Sequence, residues 1–364
     1  MDRLSAHLDR GWDLAQHGDV RGAEAAAKKA LEVDPDAPEV HNLLGYVAAL
    51  AGEPEEAVEH YRQALALDEG YFDAMLNAAE VLCFPLGEYE EAIEMCDEAI
   101  SWAETDEEKA DALLVKIDAL LAVRDDDGVR KALGSVPSSV IDAGAPARAR
   151  ERVEAQEREE TEKVAGKEER DPVRFLFAVG RAWFELGEHE RAHELLERAL
   201  AADGLHPEAN YYAALTLELR GEQAEAVEHF LRVRKLDERA PMVPWSLSEA
   251  SFFAAMERAI RTLDPALRRF VEHAHVWVVE LPGYEVICDG IDPRAPLLLD
   301  GIATPEHPGP PCARIFAYQR NIERPLASAT ELHDELVRLL EQEITATFLE
   351  GREGQRPRSK HELN

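Results

Sequence analysis

The segment LGYVAALAGEPEEAVEHYRQALALDEG, residues 44–70, decides the fold. Two runs of helix-forming residues flank a Gly52-Glu53-Pro54 break, so the segment reads as helix, tight turn, helix. Its small residues recur. Gly11, Gly18, Ala23 and Ala30 return as Gly45, Gly52, Ala57 and Ala64, each 34 residues later. A third copy follows with Ala79, Gly87, Ala92 and Ala99, carrying one extra residue near Pro85. Gly187 and Ala192 return after another 34 residues as Gly221 and Ala226. A period of 34 with small residues at fixed places is the signature of a helix–turn–helix repeat, because each pair stacks on the next to bury its apolar face. The small residues let the two helices approach closely, the glycine ends the first helix in a left-handed turn, and Asp34-Pro35 stops the second. The period is not seven, which excludes a coiled coil.

On these residues, above all LGYVAALAGEPEEAVEHYRQALALDEG and VGRAWFELGEHERAHELLERALAAD (179–203), the segments resemble the tetratricopeptide repeat family. Repeats fall near 4–37, 38–71, 72–106, 173–206 and 207–240, with a degenerate copy at 107–136. The chain is therefore expected to be mostly α: two helical-repeat arrays followed by a small α+β domain. The expected boundaries are 1–141 for the first array, 142–172 for a charged, partly helical linker rich in Glu, Arg, Lys and Ala, 173–240 for the second array, 241–351 for the α+β domain and 352–364 for a solvated tail.

Repeat solenoids bind partners on a concave face lined by the first helix of each repeat. The resemblance places groove positions at Asn42, Tyr46, Asn77 and Glu80 in the first array, and at Arg174, Phe177, Arg181, Tyr211 and Glu218 in the second. An Asn there can hold an extended peptide backbone and an aromatic can supply an apolar pocket, although Phe177 and Tyr211 serve equally well as packing residues. The lysine-rich clamp with which some family members hold a C-terminal carboxylate is absent from these positions, so an acidic chain terminus is not the expected ligand.

Charge narrows the partner further. The chain carries 74 acidic and 40 basic residues, net −34. That balance argues against nucleic acid, whose phosphates need Lys and Arg, and against an anionic membrane, and it favours a basic protein or peptide. No run of 18 apolar residues occurs and the first residues, MDRLSAHLDRGWDL, lack a signal-peptide core, so a cytoplasmic protein is expected. Cys83, Cys96, Cys288 and Cys312 are scattered without a CxxC pair and read as reduced thiols. There is no Walker loop, no G-x-G-x-x-G and no G-x-S-x-G elbow.

From Pro241 the 34-residue register ends. Residues 248–263 read as an amphipathic helix with Phe252, Met256, Ile260 and Leu263 on one side, and 265–270 as a short helix. HVWVVELP (275–282) and part of ARIFAYQRNIER (313–324) read as strands, and 330–350 as a long helix. Here VWVVELPGYE, the loop PLLLDGIATPE, PCARIFAYQRNIER and ELHDELVRLL are similar to the minimal zincin-like metallopeptidases over about residues 246–351. In that family the last helix carries H-E-x-x-H-x-x-G-x-x-D. Two histidines one turn apart ligate zinc, and the Glu activates the metal-bound water. In this chain Glu343 keeps the base position, but Gln342 and Ala346 stand where the histidines belong and Arg352 where the acidic ligand would be. The resemblance therefore implies a vestigial site with no catalytic residue, no metal and no cofactor: a pseudo-peptidase attached to an interaction scaffold. The vestigial Glu343 is expected either to pair with a nearby arginine such as Arg320 or Arg338, the preferred fate, or to point to solvent. The alternative is a zinc hydrolase with non-standard ligands, drawn from His333, His273, His275, His307 or His361, to which the repeats present substrate.

Overall fold

A computed structural model of the chain describes residues 3–142, 172–302 and 311–349. The interior of the expected charged linker, the tail at 352–364, Arg352, His307 and His361 lie outside the described residues.

The chain divides into two compact units, Met1–Gly204 and Leu205–Asn364. In the first unit the expected helix pairs form in order: α1 (Arg3–Gln16) with α2 (Val20–Val33), α3 (Pro38–Ala51) with α4 (Pro54–Leu67), and α5 (Phe72–Val81) with α6 (Tyr89–Trp102). They continue with α7 (Asp106–Ala122), α8 (Asp126–Leu133) and the short α9 (Ser138–Asp142), then α10 (Pro172–Glu185) with α11 (His189–Ala202). The residue that breaks the period near Pro85 is absorbed as a wide turn of helix over Leu82–Leu86.

The small residues do what their spacing implies. Ala23, Ala57, Ala92 and Ala192 are wholly buried, as are Ala30, Ala64, Ala99 and Ala199. A Cβ on Gly45 would lie 2.6 Å from a ring carbon of Tyr61, which is itself buried on the second helix of that repeat. Glycine is required there because the helix backbone packs directly on the ring. The turns between paired helices place Gly18, Gly52, Gly87, Gly187 and Gly221 in the left-handed region, with φ from 68° to 80°. In the degenerate fourth repeat the same turn is made by Arg124 at φ 59°. Its amide donates to the Leu121 carbonyl and the next amide to Leu120, repeating the pattern of Gly52 and Glu53 on Ala49 and Ala48. The degenerate copy has thus kept the turn and lost its glycine.

The unit boundary separates two repeats that the sequence assigns to one array. The pair α10–α11 belongs to the first unit, where α10 packs on α7 and α9. The reason is electrostatic as well as apolar. Arg174 of α10 pairs with Asp111 of α7, Arg181 pairs with Asp118, and Arg198 donates to the Ile141 carbonyl, while Val179 and Ala182 join the core of α7 and α8.

The second unit opens with the last repeat, α12 (Pro207–Leu219) and α13 (Gln223–Arg239). It continues with α14 (Glu249–Thr262), α15 (Pro265–Arg268), β1 (His275–Val279), α16 (Tyr284–Cys288), β2 (Leu297–Asp300), β3 (Arg314–Tyr318), α17 (Gln319–Glu323) and α18 (Leu332–Ile344). The strands form one sheet in the order β1-β3-β2, with β1 parallel and β2 antiparallel to β3. Residues 297–300 lie in the stretch PLLLDGIATPE, expected to be a loop. They form β2, because Leu297 and Leu299 turn into the core that Phe252, Met256, Ile315, Ala317, Leu336 and Leu340 build from α14, β3 and α18. Phe252, Met256, Ile260 and Leu263 all face that core, as their spacing predicts. The final helix is regular to Ile344 and closes in a second wide turn over Thr345–Leu349.

Candidate partner-binding face

In the first unit the first helices run side by side: α1 touches α3, α3 touches α5, α5 touches α7, and α7 touches α10. Trp12, Tyr46 and Glu80 occupy equivalent positions on α1, α3 and α5, 34 residues apart. The Trp12 and Tyr46 rings tilt against each other at 5.0 Å and 48°, each half-exposed. Glu80 is solvent-accessible, yet the protein around it raises its carboxyl above the usual carboxylate range against the opposing pull of Arg174. Near the ends of the same helices, Leu50 is 44% and Phe84 60% exposed, Phe84 being carried by the wide turn.

Not every expected groove residue lies open. Asn42 is buried; its amide donates to the Tyr71 hydroxyl at 3.3 Å and its carbonyl accepts from Asn77 at 3.0 Å. The two asparagines tie α3 to α5 instead of offering themselves to a peptide backbone. The reason is that Asn42 points at the neighbouring first helix, where an unpaired buried amide would be costly. Arg174 and Arg181 are the pairing partners of Asp111 and Asp118; burial raises the Asp118 carboxyl and Arg181 draws it back. They fasten α10 to α7 while Arg174 keeps about half its side chain in water. Phe177 is half-buried between them on the same helix.

In the second unit Tyr211 is buried, and it is covered by the segment that follows α16. Its hydroxyl donates to Asp292 at 2.8 Å, and the Arg294 guanidinium lies 4.6 Å over its ring. Burial first, then the Asp292 carboxylate, push its phenol far above its ordinary value. Arg294 also grips Glu208 through two bonds of 2.6 and 2.8 Å and reaches Asp237 at 3.1 Å; Arg324 meets Asp237 as well, at 3.0 Å. Arg320 donates to the terminal carbonyls of α13, those of Asp237, Glu238 and Ala240. Glu218, half-buried on α12, lies two turns beyond Tyr211. The expected groove position Tyr211 is therefore buried in internal contacts of its unit. The residues that decide this, Asp237, Asp292, Arg294 and Arg324, carry no sign in the sequence, because no local period marks them.

The QRNIER run is spent on the same fastening. Gln319 donates to the Leu247 carbonyl at 2.7 Å, Asn321 to the Pro293 and Ala295 carbonyls at 2.9 Å, and the buried Glu323 accepts from the Leu247 amide at 3.1 Å. Where the resemblance expected a lost metal site, Ala346 is buried, Gln342 accepts from Arg338 at 3.1 Å, and Glu343 accepts from Thr347 at 3.4 Å. Glu343 forms no ion pair with Arg320 or Arg338: Arg320 bridges to Glu280 and Arg338 to Glu335. Among the described residues no three His, Cys, Asp or Glu side chains converge as a metal site, and no helix is long and apolar enough to cross a membrane.

Stacked helix pairs with an open first-helix face define a helical-repeat scaffold, the class whose exposed faces serve protein–protein interaction. The repeats are tetratricopeptide repeats: one sequence model of that family matches residues 8–72 and 177–241, and a second matches 48–117. The type IV pilus assembly protein PilF of Pseudomonas aeruginosa is 34% identical over 94 residues, 26% of this chain and 37% of its own length. The Sol locus transcriptional repressor of Clostridium acetobutylicum is 31% identical over 77 residues, 21% of this chain and 24% of its own. The chain thus spans well under half the length of these curated relatives. Among solved structures, P. aeruginosa pilF superposes with a TM-score of 0.48 at 17% identity, over 65% of this chain and 93% of that one.

Proposed function

We propose that the first unit holds an extended protein segment bearing apolar and basic side chains across the face of α1, α3 and α5. The observation that carries this reading is the row Trp12, Tyr46, Glu80: two half-exposed rings in contact, followed in register by an accessible carboxylate. Aromatic rings give large contact area for little rotamer entropy, and a carboxylate in a concave site selects a cationic side chain over an anionic one. Leu50 and Phe84 extend the apolar contact. A net charge of −34 favours the same partner at long range. In this reading the protein works in the cytoplasm.

The module after α13 is proposed as a metal-free relative of the minimal zincins that serves as a structural cap on the last repeat. Three features support this: the buried methyl of Ala346 at a ligand position, the hydrogen bond that occupies Gln342, and the QRNIER side chains committed to fastening. The decisive measurement for the groove is an array of immobilised peptides varied in apolar and basic content. Peptides combining both are expected to bind, and Tyr46→Ala with Glu80→Lys should weaken them at least tenfold, about 1.4 kcal/mol or more, without lowering Tm. Equal binding of acidic peptides, or unchanged binding by the double variant, refutes the groove. For the cap, elemental analysis finding about one zinc per chain, lost together with a peptidase activity in His333→Ala, would overturn the metal-free reading.

A further inference from the structure

The geometry points to β1 as a self-pairing edge through which two copies of this chain join antiparallel into a continuous six-stranded sheet. β1 is the outer strand of the order β1-β3-β2 and, among the described residues, pairs on one side alone. The His275 amide donates to Ala313 on the β3 side, so in a parallel ladder His275, Trp277 and Val279 direct their backbone groups toward β3. Val276 and Val278 direct theirs outward, and among the described residues no backbone or side-chain partner receives them. Natural sheets protect such an edge with charge, proline or a bulge. The strand His275–Val279, sequence HVWVV, has none of these.

Apart from His275, the side chains on the outer face are apolar as well. Val276 and Val278 turn toward the core of α14 and α18, whereas Trp277 is 54% and Val279 37% exposed. Trp277 lies in a row with Phe316 of β3 and Leu298 of β2. In an antiparallel pair centred on Trp277, Val276 of each copy faces Val278 of the other. All outward N–H and C=O groups of the strand are then used in four hydrogen bonds. The two Trp277 residues stand opposite each other at the non-hydrogen-bonded position, where side chains are closest. A register shifted by two residues leaves one of the valines unpaired.

Charge selects the occupant. The chain is net −34, yet residues 273–279 contain no carboxylate and two histidines. In this register the edge therefore sets no carboxylate of one copy against a carboxylate of the other. The area is modest. A five-residue edge buries less than the roughly 1,200 Å² of a stable dimer, so the association is weak and depends on concentration.

The test uses the full chain in sedimentation equilibrium from about 1 µM to about 1 mM, with cross-linking as a second readout. Wild type is expected to shift from monomer to dimer across that range, and Trp277→Glu, at an exposed position, to remain monomeric with an unchanged circular dichroism spectrum. In a Cys288→Ser background, Trp277→Cys should oxidise to a covalent dimer, because facing non-hydrogen-bonded residues lie about 4.5 Å apart, within disulfide reach. His275→Cys alone should not cross-link, whereas His275→Cys mixed with Val279→Cys should. A wild type that is monomeric at every concentration overturns the inference. So does a Trp277→Glu variant that dimerises like wild type, or cross-linking of His275→Cys alone as efficient as that of Trp277→Cys.

Discussion

Replacing Arg294 with Met should open the second unit while leaving the first intact. The side chain makes three kinds of contact: a two-bond grip on Glu208, a bond to the nearly buried Asp237, and a stack on the Tyr211 ring. Glu208 is 45% exposed and regains water when released, so its share is about 1 kcal/mol or less. Asp237 is 6% exposed and cannot. Stripping a buried carboxylate of its partner costs about 3–5 kcal/mol, but Arg324 still holds Asp237, which leaves roughly half of that. Loss of the cation over Tyr211 adds about 1 kcal/mol. The expected destabilisation is about 3 kcal/mol, retained Met volume limiting any packing loss.

Hydrogen exchange of the full chain reads this out unit by unit. Amides of α12, α13 and β3 should exchange about a hundredfold faster, whereas those of α3 and α4 should not change. As a control, Arg314→Met breaks a pair with Asp300 that is half-exposed on both sides and should cost no more than about 1 kcal/mol. If Arg294→Met moves protection of the second unit by less than the control does, the clamp is not what holds the last repeat to the sheet module.

Other outcomes follow from single contacts. Arg124→Gly should stabilise the first unit by about 0.5–1 kcal/mol in thermal unfolding, since a left-handed non-glycine costs about 1–2 kcal/mol and the greater freedom of glycine in the unfolded chain returns part of that. Gly45→Ala should destabilise it by about 1–3 kcal/mol, because the new methyl overlaps the Tyr61 ring. A thiol reagent should label Cys288 alone in the native protein and all four cysteines in denaturant, since Cys83, Cys96 and Cys312 are buried. Burial raises the Cys83 thiol to about 11 and the Cys96 thiol to about 12, from an ordinary 9.0. Protons are thus held more tightly in the folded state. Their contribution is complete below pH 9 and declines at about 1.4 kcal/mol per pH unit per group as pH rises toward those values. Tm should fall above pH 9 and fall less steeply in Cys96→Ala; an identical alkaline slope in that variant refutes the assignment.

The sequence by itself determined the repeats. Each is a local object: two helices, a left-handed turn and small residues at fixed spacing, so periodicity places Ala57 against its neighbour and Gly52 in its turn without reference to anything distant. It determined as well that the last segment packs Phe252, Met256 and Leu263 on one side of a helix. It missed β2, because four residues carry too short an alternation to stand out from a loop. Tertiary structure alone decided which groove positions stay open. Asn42 is consumed by Tyr71 and Asn77, Arg174 and Arg181 by acids 63 residues away, and Tyr211 by Asp292 and by Arg294, whose own partner Glu208 is 86 residues distant. Ion pairs and hydrogen bonds across such separations leave no period in the chain. Each depends on one side chain meeting one other, and that meeting is fixed only when the helices have stacked.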